Sequence, residues 1–493
     1  QKKKKSIMDI SIKTLGELKK QGYRSRSIKS ELRENLIENI REGKASFTGI
    51  HGYDETVIPQ LERAILSEHN INLLGLRGQA KTRLARLMVQ ILDEYIPAIE
   101  GSEINDDPLM PISNFGKKQV AELGDQTPIT WIHREQRFYE KLATPDVTIS
   151  DLIGDIDPIK AANLKLSYAD ERVIHFGMIP RANRSIFVIN ELPDLQSRIQ
   201  VALFNILEEG DIQIRGFQLR LPLDLQFVFT ANPEDYTNRG SIVTPLKDRI
   251  GSQILTHYPD SIEVAKTITA QEAKLQKNRV CDIHIPELAK DLVEQIGFEE
   301  RNSEFVDSKS GISARMSITA YENLLSTAEH RCIMSGETQT SIRYADILGM
   351  IPSIIGKVEL VYEGEQEGAA FVAERLIGSA SKTLFDNYFP VIKKLKHEDD
   401  KDAYDAIMQW FFEQSSFELM DDGTEVEYSS ALNDIAPLDE LISTYMPEAI
   451  AEDRLFIKEF MLWALVEYKK LNKKRILKGF EFKDSYGAYL SNL

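Results

Sequence analysis

The sequence of 493 residues is poor in cysteine, in tryptophan and in long apolar runs. Its two cysteines, Cys281 and Cys332, exclude a disulfide framework and suit a reducing compartment, so we expect a cytoplasmic protein. No apolar run approaches the roughly 18 residues that a membrane-spanning helix needs, so we expect no membrane span. The chain is too long for one core, and its 42% hydrophobic and 28% charged content is typical of a globular protein with several domains.

A net positive charge is confined to the first residues. The net charge is −17, yet residues 1–45 hold thirteen Lys and Arg against six Asp and Glu. Such a basic arm can bind nucleic acid or anionic lipid, or dock on an acidic neighbour, and we favour a solvated or self-docking arm. Because nucleic-acid binding needs a continuous basic surface, which the acidic remainder does not offer, we do not expect a nucleic-acid partner.

A glycine-containing segment, residues 75–82, follows a short apolar run and is called the glycine loop below. Gly75 and Gly78 let the backbone turn sharply and aim its N–H groups at phosphate oxygens. Lys81 supplies a positive charge for the β- and γ-phosphates, and Thr82 supplies a hydroxyl for Mg²⁺. Ala80 stands where a second glycine is usual. On this segment alone, an ordinary strand–turn–helix is an equally good interpretation.

A second apolar run, residues 185–189, leads into Asn190 and Glu191, as a central parallel strand does at its carboxyl end. In phosphate-loop ATPases this pair is normally Asp-Glu: the first residue orients Mg²⁺ through water, and the second activates the attacking water. Glu191 fits the second role. Asn190 can hold a metal-bound water but contributes no charge, so we expect reduced Mg²⁺ affinity or turnover.

Three further polar residues complete the catalytic candidates. Asn232 follows a third buried run, where an amide can hold the lytic water against the γ-phosphate. Arg249 ends a short helix from which it can reach a neighbouring subunit's γ-phosphate, and Arg315 opens a later helix, where it could contact the same phosphate in cis. Each arginine alone is more often a salt-bridge partner, but their order after the glycine loop favours the catalytic roles.

In this order the motifs resemble AAA+ ATPases of the helix-2-insert clade, similar to MoxR proteins and to the ATPase subunit of magnesium chelatase. The similarity covers about residues 45–350. Residues 78–82 resemble the MoxR form of the Walker A motif, which accounts for Ala80. Asn232, Arg249 and Arg315 then correspond to sensor 1, the arginine finger and sensor 2. The remaining matches are residues 47–55 with the motif that flanks the adenine, 152–161 and 177–184 with the helix-2 insert and its return, and 210–216 with the pre-sensor hairpin.

Two positions depart from the family pattern. Asn190 replaces the usual Asp, which bears on the hydrolysis rate, and Tyr53 stands where Gln is frequent, which bears on the adenine pocket. The resemblance implies ATP and Mg²⁺ as cofactors, and it implies that Thr82 and Asn190 are the residues beside the Mg²⁺ ion. The predicted nucleotide-binding residues are Ile50, Gly52, Gly75, Arg77, Gly78, Gln79, Ala80, Lys81, Thr82 and Arg83.

The resemblance also implies an α/β fold, an AAA+ phosphate-loop αβα sandwich followed by an α-helical lid and an extra helical region. The predicted domains are a basic arm and helix at 1–45, the nucleotide-binding domain at 46–260, the lid at 261–365 and a C-terminal extension at 366–493. Periodicity predicts helices at 27–42 and 54–67, and helices after 262 that are broken by an acidic loop at 363–368 and a charged run at 397–402. The Pro-, Gly- and Asp-rich composition of 97–128 predicts irregular structure there. The extension is either a bundle packed on the lid or a docking platform for a partner.

Because an arginine finger acts in trans, the resemblance implies a homo-oligomeric ring, most simply a hexamer. Such rings remodel or activate a protein partner, often one that carries a von Willebrand A domain with an Asp-x-Ser-x-Ser metal site. The nearest sequence here, residues 307–311, does not fit that motif, so we expect the partner to be a separate chain. Two alternatives stay open: an ATPase subunit that drives Mg²⁺ insertion into a porphyrin, and a nucleotide-gated scaffold with little hydrolysis.

Overall fold

The computed structural model describes residues 9–166, 171–209, 211–214, 217–233, 241–276, 279–307, 314–392, 402–414 and 416–485. The chain divides into two compact units, Gln1–His257 and Tyr258–Leu493. The division near residue 258 lies close to the predicted boundary at 260, whereas the finer boundaries at 45 and 365 stay predictions.

The first unit alternates helices and strands. Its helices are α1 (Leu15–Lys20), α2 (Ile28–Glu42), α3 (Val57–Leu66), α4 (Lys81–Leu87), α5 (Asn114–Leu123), α6 (Ile149–Leu152), α7 (Pro158–Leu164), α8 (Met178–Arg181), α9 (Ser197–Glu209) and α10 (Thr244–Arg249). Its strands are β1 (Ile71–Leu74), β2 (Tyr95–Ile99), β3 (Ile129–His133), β4 (Phe138–Leu142), β5 (Gly154–Ile156), β6 (Ile174–Phe176), β7 (Ser185–Asn190), β8 (Asp211–Ile214), β9 (Phe217–Arg220), β10 (Leu225–Ala231) and β11 (Ser252–Leu255).

Five of these strands form a parallel sheet in the order β11-β1-β10-β7-β4. Every residue of β7 and of β10 is buried, as expected for central parallel strands with helices on both faces. The carboxyl ends of β1, β10 and β7 therefore meet at one edge of the sheet. The glycine loop, Asn232 and Glu191 directly follow these three strands, so the topology brings the predicted site together.

The two faces of β7 belong to different cores, because successive side chains on a strand point to opposite faces. Ile186 and Val188 pack with Leu36 of α2 and Leu84 of α4. Phe187 and Ile189 pack on the other face, in a core that includes Leu203 of α9. The resulting three layers confirm the predicted α/β sandwich.

The helix α2 is fixed to the first unit by buried polar contacts. Arg137 donates to both carboxylate oxygens of Glu31 at 2.8 and 2.7 Å, and both side chains are almost fully buried. The Ile28 N–H donates to Asp224 at 2.7 Å, and the Ser27 side chain caps the helix by accepting from the Ser30 N–H. The predicted helix at 27–42 is confirmed with a shift of one residue, whereas α3 is shorter than predicted.

The first unit also contains antiparallel strand pairs outside the five-stranded sheet: β2 with β3, β5 with β6 and β8 with β9. The expectation of irregular structure at 97–128 holds for residues 100–113 and is wrong for residues 114–123, which form α5 behind a Ser113 N-cap. In the predicted pre-sensor hairpin, residues 210–216, the strand β8 is described and pairs with β9 just beyond it, while residues 210, 215 and 216 lie outside the described residues.

The second unit is mainly helical. Its helices are α11 (Ile262–Glu272), α12 (Glu287–Asn302), α13 (Arg315–Ser335), α14 (Tyr344–Ile347), α15 (Ile351–Ile355), α16 (Tyr362–Glu367), α17 (Ala369–Tyr388), α18 (Asp405–Gln414), α19 (Glu425–Asn433), α20 (Ala436–Tyr445) and α21 (Ala451–Glu467). Its strands are β12 (Asp282–His284), β13 (Gln339–Ser341), β14 (Phe417–Met420), β15 (Leu471–Ile476) and β16 (Gly479–Asp484).

Two local expectations fail in the second unit. The acidic segment 363–368 is mostly helical as α16, because glutamates are good helix formers and two of them lie in the favourable first turn. An antiparallel sheet in the order β14-β16-β15 adds strands to the C-terminal helical region. The predicted break at 397–402 falls almost entirely outside the described residues. Within the described ranges, no helix is both long enough and apolar enough to cross a membrane.

Candidate active site

The glycine loop leaves β1 with its backbone held against the neighbouring strand. The Gly75 N–H donates to the carbonyl oxygen of Ala231 at 3.1 Å. A Cβ at position 75 would collide with the side chains of Thr256 and Gln79, so the close approach requires glycine here. The loop therefore enters α4 from a fixed position at the edge of the sheet.

Two residues of the glycine loop have left-handed backbone conformations. Gly78 has φ = 76°, and Ala80, immediately before α4, has φ = 56° and ψ = 18°. Glycine adopts this conformation freely, whereas for alanine it costs about 1–2 kcal/mol because Cβ crowds the following carbonyl. Positive φ values in a loop that enters a helix are typical of backbone nests that bind anions.

Lys81 lies at the start of α4 with 9% of its surface exposed. Its ammonium group donates to the carbonyl oxygens of Gly75 and, at 2.8 Å, Leu76, and to Oδ1 of Asn232 at 2.8 Å. A buried ammonium must be hydrogen-bonded, and oxygens of a phosphate can replace carbonyl oxygens as its acceptors. The lysine is thus placed where an anion at the loop would meet it.

Asn190 connects α4 to the two central strands. Its Oδ1 accepts from the Thr82 hydroxyl at 3.2 Å and from the Thr230 hydroxyl at 3.1 Å. Its amide nitrogen donates to Oε1 of Glu140 at 2.6 Å, and Arg86 donates to Oε2 of Glu140 at 2.6 Å. The predicted metal-side residues, Thr82 and Asn190, are therefore in direct contact.

Glu191 turns out of β7 with a left-handed backbone, φ = 58°. Its N–H donates to the Thr230 hydroxyl at 3.2 Å, and its carboxylate accepts from the Asn232 amide nitrogen at 2.8 Å. Asn232 thus lies between Glu191 and Lys81 and contacts both. These side chains, with Thr82 and Asn190, are joined through Thr230 in one connected hydrogen-bond network at the carboxyl edge of the sheet.

On the predicted adenine side, Tyr53 joins three segments. Its buried hydroxyl lies 3.0 Å from the carbonyl oxygen of Gln79 and 2.7 Å from that of His257, and burial raises its pKa to about 12. The Gln79 side chain accepts from the Thr256 hydroxyl at 2.7 Å, so its amide is engaged within the protein. Ile50, three residues before Tyr53, is buried, and Gly52 has a positive φ of 78°.

The four arginine candidates differ in their surroundings. Arg77 on the glycine loop is exposed, and Arg83 in α4 is half-buried. Arg249 ends α10 with about 40% of its side chain exposed and binds both carboxylate oxygens of Glu208 on α9, one at 2.9 Å. Arg315 is the first residue of α13 in the second unit and is exposed.

Sequence reasoning missed Glu140 and Thr230. Thr230 was visible as the hydroxyl two residues before Asn232, where a side chain points to the same face as that amide. Glu140 carried a weaker signal, because it stands beside Lys141 in a short strand segment of mixed polar and apolar residues. Its contact with Asn190 depends on β4 pairing with β7, and strand order is not written in the local sequence.

The parallel sheet, the loop–helix junction and the polar edge together define the phosphate-loop class of α/β folds. Residues 116–250 match the family model of the AAA domain, dynein-related subfamily. The matched span contains Glu191, Asn232 and Arg249, and it begins after the glycine loop.

A stretch of 204 residues is 24% identical to the magnesium-chelatase 38 kDa subunit of Cereibacter sphaeroides and covers 41% of this chain and 55% of that subunit. The chain thus spans about half the length of the curated relative it matches. The predicted resemblance to AAA+ ATPases of the magnesium-chelatase type is therefore confirmed.

Two solved structures give the same TM-score of 0.33. A complex of the BchI and BchD subunits of magnesium chelatase is 17% identical and covers 63% of this chain and 96% of that chain. NtrX from Brucella abortus is 14% identical, with coverages of 60% and 55%.

Proposed function

We propose that this protein is an ATP-hydrolysing AAA+ ring motor, MoxR-like, that remodels or activates a protein partner. The observation that supports this most is the hydrogen-bond network that joins Lys81, Thr82, Asn190, Glu191 and Asn232 at the carboxyl edge of the sheet. A network that serves stability alone would not need a buried ammonium beside a left-handed loop and a helix N-terminus.

The residues of the glycine loop fit a nucleoside triphosphate. Lys81 offers a buried cation, and the loop delivers backbone N–H groups at the start of α4, both suited to phosphate oxygens. The oxygen atoms of Thr82 and Asn190 are the hard ligands that Mg²⁺ prefers, directly or through water. Bound Mg²⁺ would neutralise charge on the phosphate oxygens.

The roles of the remaining residues follow from their contacts. Glu191 would accept the proton of the attacking water, and Asn232, which contacts both Glu191 and Lys81, would orient that water. Because Lys81 donates to loop carbonyls, phosphate binding has to replace those bonds. Arg249 would stabilise the transition state of a neighbouring subunit, and Arg315 would act on the nucleotide in cis.

A ring, hexameric in the simplest case, is the form in which Arg249 can serve a neighbour's site. The load would be a separate protein, with a von Willebrand A domain protein as the leading candidate. A second candidate function, favoured by the similarity to the magnesium-chelatase 38 kDa subunit, is a motor that drives Mg²⁺ insertion into a porphyrin. Asn190 favours a third, a nucleotide-gated scaffold that hydrolyses little ATP.

Steady-state ATP hydrolysis by the unchanged protein, Glu191→Gln and Arg249→Ala tests the motor. We expect turnover in the unchanged protein and a loss of roughly 100-fold or more in each variant. Arg41→Ala is the matched control, since Arg41 is an exposed arginine at the end of α2. ATP binding without turnover in the unchanged protein would contradict both motor functions and support the scaffold.

Mixing the two variants tests the ring. If Arg249 acts in trans, a Glu191→Gln subunit beside an Arg249→Ala subunit forms some interfaces that carry both intact residues, and activity returns in part. No recovery on mixing would contradict a trans finger. Affinity capture from native cells then distinguishes the loads, because recovery of porphyrin-binding chelatase subunits would support the second candidate.

A further inference from the structure

We propose that Glu140 is a positioning residue for the metal side of this site. Its carboxylate holds the Asn190 amide so that the amide oxygen, and not the NH₂ group, faces Thr82. This inference rests on the proposed function, because it concerns the same Mg²⁺-nucleotide site. It explains how Asn190 keeps an acceptor in the required place.

The geometry begins with strand pairing. Glu140 on β4 lies opposite Val188 on β7, so its side chain emerges on the face shared by Val188 and Asn190. From there Oε1 accepts from the Asn190 amide nitrogen at 2.6 Å. Glu140 is itself held, because its Oε2 accepts from Arg86 at 2.6 Å.

The other end of the amide is equally determined. Both hydroxyls that reach it, from Thr82 and Thr230, donate to Oδ1, at 3.2 and 3.1 Å. When Thr82 gives its proton to Asn190, its oxygen lone pairs stay available for a cation. A rotated amide would present NH₂ to Thr82, which could neither accept that proton nor tolerate a cation nearby.

An amide needs such a restraint, whereas a carboxylate does not. The two ends of an Asn side chain have nearly the same shape, so packing alone does not distinguish them. Both oxygens of an Asp are acceptors, so either orientation would serve Thr82. Glu140 cannot donate when ionised, and the end of the amide that faces it must therefore be the NH₂ group.

The pairing has a consequence that runs against the family pattern. Restoring the usual carboxylate with Asn190→Asp would set two carboxylates at the distance of the present 2.6 Å hydrogen bond. Two carboxylates at this distance have no hydrogen between them and repel each other, which displaces residue 190 from Thr82. We therefore expect Asn190→Asp alone to weaken Mg²⁺-nucleotide binding, and Asn190→Asp with Glu140→Gln, which restores a donor–acceptor pair, to recover it.

The test measures the affinity for a fluorescent ATP analogue, with Mg²⁺ and with EDTA, in the unchanged protein, Glu140→Ala, Asn190→Asp, Glu140→Gln and the double variant Asn190→Asp/Glu140→Gln. We expect Glu140→Ala to weaken binding roughly tenfold in Mg²⁺, the usual effect of losing a partner that orients a metal ligand, and little in EDTA. Glu135→Gln is the matched control, because Glu135 is an exposed glutamate that contacts Gln90 away from Asn190.

Two results would overturn the inference: a Mg²⁺-dependent affinity that Glu140→Ala leaves unchanged, or an Asn190→Asp variant that binds as tightly as the double variant. Failure of the proposed function has a different signature, namely no nucleotide binding by the unchanged protein with or without Mg²⁺. In that case the urea unfolding midpoints of the same variants, measured without nucleotide, still test whether Glu140 and Asn190 interact. Additive shifts would overturn the Glu140–Asn190 pairing, and a double variant that recovers stability would support it.

Discussion

Replacing Ala80 with glycine should not harm the protein, although the same change inside a helix is destabilising. Ala80 has φ = 56° and ψ = 18°, a conformation in which an alanine Cβ costs about 1–2 kcal/mol. Glycine removes that cost but adds about 0.4–1 kcal/mol of chain entropy to the unfolded state. We therefore expect Ala80→Gly to stabilise the first unit by up to ~1.5 kcal/mol, with zero as the lower limit.

The matched control is Ala85→Gly, five positions further along α4, where the residue is fully buried inside the helix. There the same chemical change costs ~1 kcal/mol of helix propensity, plus the lost packing of a buried methyl group. Two identical substitutions in one loop–helix unit should thus have opposite signs.

Unfolding in urea is monitored through the hydrogen exchange of peptides from β1 and β10, so the measurement reports on the first unit alone. A probe of one unit is needed because a chain of two units need not unfold in one step. Affinity for ATP should stay within a few fold in Ala80→Gly. If Ala80→Gly destabilises as much as Ala85→Gly, the left-handed conformation of residue 80 is wrong, and with it the explanation of this loop.

Two further predictions concern buried charge. Glu300 is fully buried, neither of its carboxylate oxygens has a hydrogen-bond partner among the described residues, and burial raises its pKa to about 8 from 4.5. Because the pKa of Glu300 is higher in the folded state, the unfolded state releases its proton first, and the stability of the second unit should fall as pH rises from 4.5 to 8. Glu300→Gln should reduce this dependence of stability on pH, as measured by urea titrations at pH 5 and pH 8. An unchanged dependence in the variant would contradict the burial of Glu300. Arg137→Ala should destabilise the first unit by ~3–5 kcal/mol, since it leaves the Glu31 carboxylate buried without its bidentate partner, and a urea midpoint that implies a loss below ~1 kcal/mol would show that α2 is not anchored there.

The sequence contained the chemistry of the site wherever a polar residue directly follows an apolar run. Glu191 and Asn232 were found in this way, because the end of a buried strand is a local signal, and Lys81 and Thr82 were found because they end the glycine loop that follows such a run. The structure brings them together since β1, β10 and β7 are neighbours. Glu140 was not found, because its role depends on β4 joining the edge of the same sheet beside β7, a pairing between distant segments.

The C-terminal sheet was hidden for a different reason. Four consecutive residues of β15, 472–475, are exposed, so the strand shows no alternation of apolar and polar side chains. It is an edge strand, paired on one side by β16, and lysines are common on such edges. The expected loop at 363–368 failed because charge was taken as a sign of irregular structure where a short helix was equally compatible.

Equilibrium binding of ATP to the unchanged protein and to Lys81→Ala tests the central claim most directly. Lys81 donates to three oxygens within the glycine loop and Asn232, and losing two charge-assisted hydrogen bonds to a phosphate should weaken affinity by roughly 100-fold or more. Lys117→Ala, at an exposed lysine of α5, is the control and should leave affinity unchanged. Measurable ATP binding by the unchanged protein, weakened by roughly 100-fold or more in Lys81→Ala, is the predicted result. Equal affinity in the two proteins would contradict the assignment of residues 75–82 as the phosphate-binding loop.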